Sequence, residues 1–162
     1  MTELDDAVDP QVISVTFNEQ LAVGAGMIAL CVLIHGIWLF TLHRLVLGKR
    51  AGDAIDHARP LSLGGLSVTL LVVLAIVAVH FIEIWLFAYL YKYVQAHWNF
   101  EDALYFSTIS YATIGYNDSS IAEEWRMVGA LEGILGVILL GWSTAFFVRV
   151  LGRLEGSGKA DE

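Results

Sequence analysis

Residues 99–118 read NFEDALYFSTISYATIGYND, and this stretch is neither a polar loop nor a membrane span. From Ala103 to Tyr116 its 14 residues are mostly apolar and dotted with hydroxyls. A helix needs about 20 apolar residues to cross roughly 30 Å of hydrocarbon. The segment is too short to cross and too apolar to lie in water, so it predicts a re-entrant element that enters and leaves by one face. Asn99, followed by Glu101 and Asp102, supplies a helix cap and acids suited to a helix N-terminus. A helix from Glu101 to Ala112 would descend about 18 Å, around half of the bilayer.

The flanks agree with that reading. Leu21 to Leu42 contains no charged residue in 22 positions; a second apolar block runs from about Leu66 to Tyr91, broken only by His80 and Glu83, and a third from about Met127 to Val148, broken only by Glu132. Each is long enough to span. The acidic segment 1–20 has no Lys or Arg, which argues against a cleavable signal peptide. The divisions predicted are an acidic extracytoplasmic tail (1–20), a first span (21–43), a connector (44–65), a two-span unit holding the re-entrant segment (66–150) and a polar tail (151–162). An odd number of spans puts the termini on opposite sides. Seven basic residues (Arg44, Lys49, Arg50, Arg59, Arg149, Arg153 and Lys159) fall on one side and two (Lys92 and Arg126) on the other. The positive-inside rule therefore predicts a multi-pass protein of the cell (inner) membrane, with the N-terminus outside and the C-terminus in the cytoplasm.

Composition closes off other classes. Hydrophobic residues make up 57% of the 162 and charged residues 16%, against about 45–50% and 25% in soluble domains. With 9 Lys and Arg against 17 Asp and Glu there is no basic footprint for nucleic acid. The acids gather outside, where Glu3, Asp5, Asp6, Asp9, Glu19, Glu101, Asp102, Asp118, Glu123 and Glu124 would concentrate cations. The one cysteine, Cys31, excludes an internal disulfide framework or a Cys-based zinc site. No span carries arginine at every third position, which speaks against the usual voltage sensor, and the sequence offers no evident soluble ligand domain. The connector LGKRAGDAIDHARPLSL, residues 47–63, predicts a helical stretch ended by Pro60 whose basic residues meet lipid headgroups.

After the half-helix comes Thr113-Ile114-Gly115-Tyr116-Asn117-Asp118, which resembles the pore signature of the small prokaryotic potassium channel family, commonly Thr-Val-Gly-Tyr-Gly-Asp. The likeness extends back through Asp102 to Ser107 and forward to Trp125 and Arg126. It covers about residues 66 to 150 and leaves the first span as an addition. It implies an all-α membrane protein with an outer helix, pore helix, filter and inner helix. It also implies that four identical chains form a homotetramer among membrane lipids, with no cofactor beyond the permeant potassium and no catalysis. Potassium sheds its water only where oxygens replace it, and carbonyls turned to a shared axis do this. By resemblance, Thr113 contributes its hydroxyl and carbonyl, Ile114, Gly115 and Tyr116 contribute carbonyls, and the side chains of Ile114 and Tyr116 pack away from the axis. Asn117 stands where the family usually has a second glycine and Ala112 where it commonly has a second threonine. Both departures favour the alternative of a weakly selective cation channel. The rival from another class is a non-conducting accessory protein or metalloenzyme.

The ionisable residues of the spans admit three readings. Glu83 and Glu132 fall at the depth of the half-helix and can support the filter through Ser107, Thr108 or Ser110, with Asp118 above it. His80, three residues from Glu83 and on the same face, can form a proton-sensitive gate. His35, His80, Glu83 and Glu132 could hold a metal, although HxxxH or ExxH spacing is missing. Gly136, 21 residues after Gly115, is a candidate gating hinge or a site of close helix packing.

Overall fold

The structure, a computed structural model, describes residues 15–47, 63–94, 96, 99–115 and 121–157. Their regular structure is wholly helical: α1 (Phe17–Leu47), α2 (Leu63–Tyr93), α3 (Phe100–Tyr111), one 3₁₀ turn (Glu123–Trp125) and α4 (Arg126–Ser157). The three long helices are apolar enough to cross a membrane, and at 31 or 32 residues each measures about 45 Å. This exceeds the hydrocarbon thickness of roughly 30 Å, so the helix ends reach the headgroups. The all-α fold expected from the sequence is the one observed. The connector expected to form a helix ended by Pro60 lies outside the described residues.

The start of α1 outruns its apolar block because polar groups hold it. Thr16 and Glu19 form a capping box at the start of α1: the Thr16 amide and hydroxyl donate to Glu19 Oε2 at 2.7 and 2.9 Å, and the Glu19 amide faces the Thr16 hydroxyl at 3.4 Å. That satisfies donors which a bare helix start would leave unpaired.

α1 runs parallel to α4 and antiparallel to α2. A side chain on Gly24 would collide with Leu131, and His35, eleven residues on, meets Ser143. Against α2, His35 meets Glu83, and the Trp38 indole donates to the Ala75 carbonyl at 2.8 Å. The start of α1 and the end of α4 thus lie at opposite ends of the bundle.

α3 enters between α2 and α4. Ser107 contacts Ile84 and Glu132, and one turn on Tyr111 contacts His80 and Glu83. Ten residues separate Glu83 from the end of α2 at Tyr93, so α3 finishes about 15 Å inside the long helices. Its apolar face packs Ala103 and Phe106 into a core with Cys31, Phe87, Tyr91, Val128 and Leu135. Beyond the reach of α3 the long helices close on a smaller cluster around Val72 and Val150. Leu33, Ile37, Phe40, Leu71 and Leu74, by contrast, are exposed, as lipid-facing side chains are.

Candidate ion pathway and its buried support

Asn99 caps α3 as the sequence predicts. Its side-chain oxygen accepts from the Asp102 amide at 2.8 Å while its amide nitrogen donates to the Asp102 carboxylate at 2.8 Å. The other end closes in a Schellman arrangement: the Ile114 amide donates to the Ile109 carbonyl at 2.9 Å and the Thr113 amide to Ser110 at 2.9 Å. This motif requires a left-handed residue just past the helix. Thr113 takes that place with φ of 59°, a conformation that a β-branched side chain adopts only at a cost.

Gly115 is also left-handed, with φ of 56°, and its amide donates to the same Ile109 carbonyl at 3.2 Å. Two successive N–H groups therefore point back at one oxygen. No peptide in the described residues is cis, and a trans peptide directs its C=O opposite to the following N–H. The Thr113 and Ile114 carbonyls consequently both face away from α3, whereas along an ordinary strand consecutive carbonyls alternate. Residues 112–115 are exposed on this chain, Ile114 at 63%. The Ile114 side chain, expected to pack away from the axis, is left largely uncovered by its own subunit. Tyr116, Asn117 and Asp118 lie outside the described residues.

Two buried polar clusters stand behind this turn. In the first, the Tyr91 hydroxyl donates to Glu132 Oε2 at 2.6 Å, and Ser107 bridges the other carboxylate oxygen and the Ile84 carbonyl. Three helices, α2, α3 and α4, thereby meet on one carboxyl. The second is a ring. His35 Nδ1 lies 2.9 Å from Glu83 Oε1, the Tyr111 hydroxyl donates to Glu83 Oε2, and His80 Nδ1 lies 2.7 Å from that hydroxyl. His80 Nε2 and His35 Nε2 each lie 3.1 Å from the Ser143 hydroxyl oxygen. All five residues are buried, His35 and Glu83 completely.

The structure brings Ser107 to Glu132 as the support reading requires. It pairs Glu83 with Tyr111, His35 and His80 in place of the expected hydroxyls of Ser107, Thr108 and Ser110. The Thr108 hydroxyl turns back to the Leu104 carbonyl, and Ser110 uses its carbonyl to cap the helix. The proposed four-residue metal set does not assemble, since Glu132 belongs to the other cluster. His35, His80 and Glu83 do place ligand atoms within 4.8 Å of one another, and in the ring these side chains are hydrogen-bonded to one another, to Tyr111 and to Ser143. α4 continues unbroken through Gly136, where a side chain would run into the Tyr111 carbonyl; the glycine permits this close approach of α4 to the end of α3. Nothing in the sequence singles out Tyr91, Tyr111 and Ser143. Their hydroxyls become informative only through the buried carboxylates and imidazoles they meet, because Tyr and Ser occur in spans for many reasons.

Residues 66–153 match the protein family described as Ion channel. No curated protein sequence matches the chain, and no solved structure does.

Proposed function

Because more than half of its length matches that family, the chain belongs to the ion channels, and we propose that it is a potassium channel assembled from four identical subunits. Each subunit contributes Thr113 to Tyr116 to a shared filter, with Asn117 and Asp118 at its outer mouth. Potassium passes down its gradient, held by the Thr113 hydroxyl and by successive main-chain oxygens. The observation that carries the reading is the turn at the end of α3, where the Thr113 and Ile114 carbonyls leave the half-helix on the same side. Four-fold repetition would arrange them in rings about an axis and cover Ile114 with a neighbouring subunit. Glu132, Ser107 and Glu83 hold α3 in place, and the acidic face, directed outward, attracts cations to the entrance.

The experiment is flux from purified protein in liposomes with potassium and sodium compared. Potassium efflux well above sodium efflux is expected. Equal fluxes would favour the weakly selective cation channel that Asn117 and Ala112 suggest, and sealed vesicles in both salts would overturn conduction.

A further inference from the structure

The ring of His35, Glu83, Tyr111, His80 and Ser143 is a closed circuit of five hydrogen-bond contacts drawn from all four α-helices, crossed by a longer 3.3 Å approach of His80 Nδ1 to Glu83 Oε2 that can share the Nδ1 hydrogen already directed at Tyr111. Each contact needs one hydrogen. The Tyr111 and Ser143 hydroxyls supply one each, and each neutral imidazole supplies one. That makes four. The fifth must sit on Glu83 as a carboxylic acid or on one histidine as an imidazolium beside the Glu83 carboxylate. Either way the complete ring is electrically neutral, the state that burial in a low-dielectric interior favours. Removing the fifth hydrogen leaves a buried negative charge and one contact without a hydrogen, because the Ser143 hydroxyl cannot donate to both Nε2 atoms.

Tyr111 links this count to conduction. It is the last residue of α3, two positions before Thr113, with its carbonyl backed by Gly136 and its phenol held in the ring. We propose that His35, on the helix outside the family-matched segment, is a filter-positioning residue. It acts through a five-hydrogen ring that fixes Tyr111, so that conduction requires the fifth hydrogen and fails as alkali removes it. Among the described residues, the titratable groups facing the ring are Cys31 from α1 and Glu132 from α4, both close enough to influence Glu83 or Tyr111 electrostatically, and no Lys or Arg is among the ring's hydrogen-bond partners.

The inference rests on the channel reading, and its test separates the two. Potassium flux is measured in liposomes across a pH series for the wild-type chain, Glu83→Gln, Ser143→Ala and His35→Asn, alongside ¹⁵N spectra of the histidine rings and infrared spectra of the carboxyl groups. A glutamine at 83 supplies the fifth hydrogen permanently, so the alkaline decline of the wild type should vanish or move up by about one pH unit or more. Ser143→Ala and His35→Asn break the ring at the contacts that need the extra hydrogen, so their flux should be reduced at every pH and show no further alkaline decline; wild-type flux with a wild-type profile in both would overturn the proposal. Superimposable profiles for the wild type and Glu83→Gln overturn the proposal. So do spectra showing two neutral imidazoles and a Glu83 carboxylate at the pH of greatest flux. If the wild type passes no potassium at any pH, the channel reading and with it the positioning role fall, while the spectra still decide the hydrogen count.

Discussion

Tyr111 and Gly136 stand back to back: α4 passes the foot of α3 so closely that a β-carbon on Gly136 would strike the Tyr111 carbonyl. A main-chain carbonyl at the end of a capped helix has little room to retreat. Gly136→Ala should therefore destabilise the folded protein by about 1–3 kcal/mol, the usual cost of overpacking. Gly141 on the same helix has nothing within 4 Å of its β-position, and Gly141→Ala should be neutral or stabilising by up to about 1 kcal/mol. Thermal unfolding in detergent compares the two. Equal melting temperatures would remove the packing explanation for Gly136 and revive its use as a hinge.

The contacts of Glu132 close with three hydrogens when its carboxyl carries a proton: one donated by Tyr91, one by Ser107 to the Ile84 carbonyl, and one by Glu132 to Ser107. A glutamine can reproduce that pattern, accepting from Tyr91 and donating to Ser107. Glu132→Gln should stay within about 0.5 kcal/mol of the wild type, whereas Glu132→Ala and Tyr91→Phe should each cost about 1–3 kcal/mol through the polar groups they strand. Denaturation of all three in one detergent checks the order, and a Glu132→Gln protein as unstable as Glu132→Ala would show that the charge itself is needed.

Thr113 occupies a left-handed position that suits glycine. Thr113→Gly should leave the fold at least as stable as before, since it relieves a conformational cost of about 1 kcal/mol or more. It should also lower the potassium-over-sodium flux ratio about tenfold through loss of one hydroxyl ligand. Melting temperature and flux ratio measured on the same preparation separate the two effects, and an unchanged ratio would place the hydroxyl outside the ion path.

Asn117 stands where the potassium-channel signature that residues 113–118 resemble has its second glycine. Asn tolerates left-handed backbone better than other side chains do, though less readily than glycine. Asn117→Gly should raise potassium preference over sodium, read as a shift of reversal potential in mixed salts. A fixed reversal potential would mean that this position does not shape selectivity.

Most of the architecture was legible in the primary structure because the hydrocarbon thickness leaves few options for apolar blocks of 20 or of 14 residues. The Asn99 cap and the depth of Glu83 and Glu132 followed from spacing alone. The capping box of Thr16 and Glu19 is also written there, as Thr-x-x-Glu ahead of an apolar run, but hydropathy points to Leu21 because it marks the membrane and not the start of the helix. The partners of Glu83 were out of reach for a different reason. Periodicity shows that His80 and Glu83 share a face; it does not show which helix covers that face. His35 is 48 residues from Glu83, and Ser143 is 108 from His35, so their meeting depends on α1 lying parallel to α4, a choice of packing that no local pattern encodes.

The hydrogen bond from Trp38 to Ala75 and the place of His35 between Glu83 and Ser143 bear on how this protein can be re-engineered. A chimera that borrowed only residues 66–153 would expose Glu83 and Ser143 to lipid tails at the seam. The graft must bring the first helix along, or swap those polar side chains for aliphatic ones. For domain exchange, the smallest transferable module is the three-span unit from α1 through α4.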